Sequence, residues 1–149
     1  MLFIDANILL YAINADDPHH AQVRELLEEL CARRESLALS WGVIYEFFRV
    51  STHARVFPRP LTLPQAHQFI SELLGAGDIH ILAETPDHAA ELSVALGKLP
   101  RLGGNLVHDL HHAVLMREHG VRDILTCDTD FRLFPWVRIR TPEEAAGTR

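Results

Sequence analysis

The chain opens Met1-Leu2-Phe3-Ile4-Asp5-Ala6-Asn7-Ile8-Leu9-Leu10-Tyr11-Ala12-Ile13-Asn14, an apolar segment interrupted by one aspartate and one asparagine. Leu2 to Ile4 reads as a buried strand. Asp5-Ala6-Asn7 ends it abruptly, and the apolar residues that resume at Ile8, Leu9, Tyr11 and Ile13 have the spacing of a short helix. A strand, a tight turn and a helix is the opening unit of an α/β fold. It leaves a carboxylate where the first strand ends.

The rest of the chain repeats this alternation. Asp16-Asp17-Pro18 supplies a cap and an N-terminal proline for a helix whose apolar positions run from Ala21 to Leu30, up to Arg33-Arg34. Leu37 to Leu39 is a second strand. Ser40 caps a helix through Val50, with Glu46 near its middle. Ser51 to Pro60 has no clean period and reads as a loop. Thr62 and Pro64 begin a helix that stops at Gly75 to Gly77, and Ile79 to Leu82 is a third strand. Thr85-Pro86-Asp87 opens a helix closed by Leu99-Pro100, and Gly103-Gly104-Asn105 is a loop before the helix Leu106 to His119. Asp123 to Thr126 and Val137 to Ile139 complete a set of about five short strands. Parallel neighbours need crossover helices, so this order predicts a mostly parallel sheet between helical layers.

Composition bounds the function. At 149 residues and 48% hydrophobic content, the chain suits one domain over residues 1–149 with one core. Apolar runs fall short of the ~20 residues that cross a bilayer, and no basic residue precedes the first, so neither a membrane span nor a signal peptide is expected. Cys31 and Cys127 belong to no metal-binding spacing, and two reduced thiols suit a cytoplasmic protein. The net charge of −6 is the wrong sign for an unaided nucleic-acid binder. A phosphate partner would need a bound cation or a local arginine cluster. Lys98 is the only lysine.

Four acidic positions stand beside apolar segments: Asp5, Glu46 in WGVIYEFF, Asp109 in NLVHDLHHAVL, and Asp128 with Asp130 in TCDTDF. An unpaired buried carboxylate costs several kcal/mol, and only Arg49 and Arg132 are close in sequence. A shared divalent cation would neutralise the carboxylates together. All-oxygen ligands favour Mg²⁺ or Mn²⁺, which bind phosphoryl oxygens and lower the pKa of water, so a phosphodiester is the implied substrate. Two of these positions fall at the carboxyl ends of strands, where open parallel sheets bind ligands. Taken singly, each is better explained structurally, an aspartate after a strand as a turn or helix cap and a glutamate within a helix as lying on its edge. Asn7 has two readings, capping the first helix or fixing the rotamer of a metal ligand, and Thr126 lies similarly beside the last carboxylates. The cluster His108, Asp109, His111, His112 raises a histidine-based metal site. Neighbours on a helix point about 100° apart, so His108 and Asp109 diverge, and the strands contradict the all-helical fold of a histidine-aspartate phosphohydrolase.

The blocks FIDANILLYAIN, LSWGVIYEFFRVSTHARVF, GNLVHDLHHAVLMREHG and TCDTDFRLFPWVRI, in this order, resemble those of PIN-domain ribonucleases of the VapC toxin type, in the subfamily abundant in mycobacteria and other actinobacteria. The resemblance spans nearly the whole chain. It implies a three-layer α/β/α fold, a Mg²⁺- or Mn²⁺-dependent endoribonuclease acting on structured RNA such as tRNA or rRNA, a homodimer, and a VapB-type antitoxin. By motif, Asp5, Glu46, Asp109 and Asp128 would be the catalytic quartet, with Asp5, Asp109 and Asp128 on the metal and Asn7 and Thr126 as supports. Asp130 varies in the family in whether it reaches the metal. Arg49, Arg55 and Arg59 would help hold the RNA, and the antitoxin would lie near the helices Pro18 to Arg34 and Pro64 to Leu74. Two other readings keep the fold, a non-catalytic RNA- or partner-binding regulator and a DNA-directed nuclease.

Overall fold

A computed structural model describes residues 1–99 and 101–147. In chain order it contains β1 (Leu2–Ile4), α1 (Ala6–Ile13), α2 (His20–Ala32), β2 (Ser36–Ser40), α3 (Trp41–Ser51), α4 (Leu63–Ala76), β3 (Asp78–Leu82), α5 (His88–Lys98), α6 (Leu106–Glu118), β4 (Asp123–Leu125), a 3₁₀ turn (Thr129–Leu133), β5 (Arg138–Arg140) and α7 (Pro142–Gly147). The expected helices and strands are present. The 3₁₀ turn and α7 are additions, and Pro100, expected to close α5, lies outside the described residues.

The sheet has five strands in the order β3-β2-β1-β4-β5, and every pairing is parallel. From β1 the chain winds outward through β2 to β3, then crosses back to lay β4 and β5 on the other side. Right-handed crossovers put α1 to α4 on one face and α5 and α6 on the other, giving three layers. α1 packs on α2 and α3, α3 on α4, and α5 on α6. The winding reverses between β1 and β4, and the crevice outside such a switch point is where α/β sheets bind ligands.

Phe3, Ile4, Leu37, Leu39, Ile124 and Leu125 are buried, as expected of central parallel strands covered on both faces. Edge strand β3 alternates between exposed and more buried positions instead. Helix α6 buries Leu110 and every residue from His112 to Met116, so it belongs to the core rather than presenting one apolar stripe.

Local chemistry explains most boundaries. Ser40 Oγ accepts from the Val43 N–H and starts α3, while Thr62 and Gln65 form a reciprocal capping box at α4. At α2 the expectation fails by two residues. Asp17 accepts from the His19 N–H at 2.8 Å, which tightens a turn, and the helix begins only at His20 with no side-chain cap.

Candidate active site

Asp5 lies one residue beyond β1, and its backbone N–H donates to Leu125 O at 3.1 Å on neighbouring β4. The residue is 7% exposed. Its Oδ1 accepts from the Ala6 N–H at 2.7 Å and caps α1. Its Oδ2 accepts from Asn7 Nδ2 at 2.8 Å and from the Thr126 hydroxyl at 2.6 Å. The cap is therefore Asp5 itself, and α1 begins at Ala6 rather than near Ile8. Asn7 does not cap; its amide also donates to Thr126 Oγ1 at 2.9 Å and so ties the two strand ends together.

Thr126, directly after β4, is fully buried. Its hydroxyl donates to Asp5 and accepts from Asn7 and from the Asp128 N–H at 2.9 Å, which uses its whole hydrogen-bonding capacity. Asp128 Oδ1 in turn accepts from the Asp130 N–H at 2.8 Å and caps the 3₁₀ turn. A continuous chain of bonds thus runs from Asp5 through Thr126 to the two later aspartates.

Asp109 comes from the first turn of α6. One carboxylate oxygen from each of Asp109, Asp128 and Asp130 can lie within 4.8 Å of the others, which makes these three the one such acidic group among the described residues. Asp130 therefore joins the group, and Asp5 sits behind it rather than in it. Glu46, on α3, completes the surroundings. Burial pushes the Asp5 carboxyl up to about 7, opposed by its bonds from Thr126 and Ala6 and reinforced by Glu46 and Asp109. Burial likewise raises Asp109 to about 6, with further repulsion from Asp128, Glu46 and Asp130.

Only His108 offsets the repulsion at Asp109, and weakly. Among the described residues Asp5, Asp109, Asp128 and Asp130 form no ion pair with arginine or lysine, and Glu46 has only a loose contact with Arg49 at 3.8 Å. The donors are all carboxylate oxygens, two of them held partly protonated near neutrality by burial and mutual repulsion. That set fits a hard divalent cation.

Behind the carboxylates is a contact that sequence reading missed. His112, one turn after Asp109 on α6, is 2% exposed, and its Nδ1 lies 3.3 Å from Ser40 Oγ. Its ring packs against Phe3 with centroids 5.7 Å apart. Burial pushes the imidazole down to about 4, so it is neutral. His112 thus joins α6, the N-terminus of α3 and β1, the three elements that bear Asp109, Glu46 and Asp5. Its i+3 spacing from Asp109 was the available signal. His111 points elsewhere, with Nε2 2.8 Å from Glu84, and no histidine joins a metal-binding group among the described residues.

Of the arginines, Arg49 and Arg55 stand on or after α3. Arg59 is turned to Asp16, with one guanidinium nitrogen 3.0 and 3.1 Å from the two carboxylate oxygens.

A family model described as the PIN domain matches residues 2–137. The chain belongs to the PIN-domain family. Among its relatives, ribonuclease VapC37 of Mycobacterium tuberculosis is 33% identical over 142 residues, covering 95% of this chain and 97% of that protein. Ribonuclease VapC43 of the same species is 34% identical over 142 residues, covering 95% of each. The PIN fold is equally plain in solved structures. VapBC2 of Rickettsia felis, crystallised with a DNA fragment from its promoter, superposes with a TM-score of 0.65 at 19% identity, covering 95% of this chain and 98% of that one. VapC20 of M. tuberculosis, described as a sarcin-ricin loop cleaving toxin, gives 0.60 at 19% identity over 89% and 93%. The VapC-type resemblance in the four sequence blocks and the α/β/α architecture are both borne out. No helix among the described residues is long and apolar enough to cross a membrane.

Proposed function

We propose that this PIN-domain chain is a VapC-type toxin, a cytoplasmic endoribonuclease that hydrolyses phosphodiesters in structured RNA, tRNA or rRNA, with Mg²⁺ or Mn²⁺. The convergence of Asp109, Asp128 and Asp130 at the switch point, with Asp5 behind them and no basic partner, is the observation that carries this reading. The names of its relatives, VapC37 and VapC43 ribonucleases, support the reaction class.

Asp109, Asp128 and Asp130 would hold the cation, joined by Asp5 through the oxygen that keeps a free lone pair. A cation bound there neutralises charge on a phosphoryl oxygen and lowers the pKa of a water. Asn7 and Thr126 keep Asp5 in one rotamer. Glu46, only partly buried and acting electrostatically on Asp5 and Asp109, would take a proton on its carboxylate from the attacking water. The exposed Arg49 and Arg55 would meet the phosphate backbone. Arg59 contributes only when its surface pair with Asp16 opens.

Solved structures of this fold include VapBC complexes, which supports restraint by a VapB-type antitoxin; the toxin itself would act as a homodimer. The groove between α2 and α4, lined by Leu27, Phe69 and Leu73 among others, suits an antitoxin segment.

The test is cleavage of total RNA and of DNA of matching sequence by the wild-type chain and by Asp5→Ala, with Mg²⁺ and with EDTA. RNA cut only by the wild type and only with the metal is the expected result. Unchanged cleavage by Asp5→Ala defeats the site assignment; cleavage of DNA alone makes it a DNA nuclease; RNA binding without cleavage makes it a regulator.

A further inference from the structure

The negative charge of the chain is unevenly distributed. From Phe47 through Ser71 there is no Asp or Glu, although the chain has 20 acidic residues, and the same stretch holds Arg49, His53, Arg55, Arg59 and His67. All three arginines are exposed; Arg59 is engaged by Asp16, and Arg49 has only a loose contact with Glu46 at 3.8 Å.

Helix α3 borders this region with a row at four-residue spacing, Trp41, Tyr45 and Arg49, which aligns the three side chains on one face. Trp41 is 56% and Tyr45 68% exposed, and the Arg49 side chain is 69% exposed. The Trp41 and Tyr45 rings have centroids 6.4 Å apart, and Tyr45 meets Phe48 edge-on at 6.2 Å. Beside the row an open cleft of about 730 Å³ is lined by Tyr45, Phe48, Arg49, Leu63, Pro64 and His67. Its walls are apolar and aromatic, and its charged or ionisable heads are an arginine and a histidine. The row reaches the acidic site through Arg49, 3.8 Å from Glu46.

We propose that the Trp41–Tyr45–Arg49 row and its cleft bind unpaired bases and the adjoining backbone of the RNA strand that leads into the acidic site. Aromatic faces stack on any nucleobase, and arginine meets the phosphate between bases. This supplies the RNA affinity that a chain of net charge −6 lacks. A second protein chain is the poorer occupant, because the row abuts Glu46, which has to remain open to the substrate. The inference rests on the ribonuclease reading for where RNA lies, and it adds that base stacking on α3 selects single-stranded over duplex segments.

The experiment measures fluorescence anisotropy of a labelled single-stranded RNA decamer of random sequence, and of an RNA duplex, with the full chain in EDTA. The expected result is single-strand binding that weakens about tenfold in Trp41→Ala/Tyr45→Ala, is retained in Tyr45→Phe, and shows a shallower salt dependence in Arg49→Ala. Circular dichroism checks that the variants fold, and sedimentation velocity follows their association state. Equal RNA affinity in the double alanine variant overturns the proposal, as does a wild-type chain that does not bind the decamer or prefers the duplex. Loss of dimers in that variant with RNA affinity per protomer unchanged assigns the surface to a second copy and also overturns it. Stacking-dependent binding by a chain that cleaves no RNA in Mg²⁺ would sustain this proposal while the ribonuclease reading fails. Cleavage with no effect of the double variant on binding would do the reverse.

Discussion

The Thr126 hydroxyl donates to Asp5 Oδ2 across 2.6 Å, joining residues that follow neighbouring strands β1 and β4. Because Thr126 Oγ1 also accepts from Asn7 and from the Asp128 N–H, a single buried hydroxyl orients the Asp5 carboxylate and anchors the backbone from which Asp128 projects. Thr126→Val keeps the shape and removes all three bonds. The expected cost is ~1–3 kcal/mol in urea unfolding and a ~10–100-fold weaker Mn²⁺ affinity by titration calorimetry. Thr126→Ser retains most of both.

The pH dependence of stability without metal has a definite sign. Asp5 and Asp109 are raised from 3.8 to about 7 and about 6, so the folded chain holds protons that the unfolded chain has already released. Stability from these groups is fully present below pH ~4 and is lost as pH rises through 6 and 7. His112, pushed down from 6.5 to about 4, works in the opposite direction up to pH ~6.5, but the two carboxyls outweigh it, so the urea midpoint in EDTA is expected to be lower at pH 8 than at pH 5. Saturating Mg²⁺ is expected to offset the fall, and calorimetry in buffers of different ionisation enthalpy should show proton release on metal binding near pH 6. A midpoint in EDTA that rises over that range would contradict the assigned environments.

Asp109 stands among Asp128, Glu46 and Asp130, so Asp109→Asn removes repulsion and cation binding together. In EDTA its Tm is expected to exceed that of the wild type, while the Mg²⁺-induced rise in Tm shrinks. RNA cleavage is expected to fall on the order of a hundredfold or more. Differential scanning calorimetry with and without Mg²⁺ separates this from simple damage, which would lower Tm in both conditions.

Gly42, in the first turn of α3, has no room for a side chain. A Cβ there would lie 2.8 Å from His112 Cε1, and that ring is wedged between Phe3 and Ser40. Gly42→Ala is expected to destabilise the fold by ~1–3 kcal/mol and to weaken metal binding by shifting α3 against α6. Chemical denaturation and Mn²⁺ titration check the two effects.

The strand–aspartate–helix unit was legible because Leu2–Ile4 ends so sharply at Asp5 and because Ile8 to Ile13 restore an apolar pattern. The carboxylates of α3 and α6 were legible from their apolar neighbours. What escaped depends on contacts between distant segments. His112 lies in a polar-looking HDLHH run, and only the approach of Phe3 and Ser40 makes it a core residue. The Arg59–Asp16 pair spans 43 positions, and no local pattern announces it. Pro142–Gly147 is too short to show a helical period, and the 3₁₀ turn follows from Asp128 capping Asp130, a bond TCDTDF does not advertise. The strand order was also hidden, since hydrophobic spacing says that a strand is buried but not which strand lies beside it.

That order governs when the site comes into being during synthesis. β1 is made first yet lies at the centre of the sheet, and Asp5 meets its partner Thr126 across 121 positions of sequence. Until the ribosome has delivered β4 and the turn behind it, Asp5 lacks the hydroxyl that orients it and the group formed by Asp109, Asp128 and Asp130 does not exist. A nascent chain therefore carries Asp5 through the making of three further strands before the group can assemble, so the earliest strand waits on one of the latest.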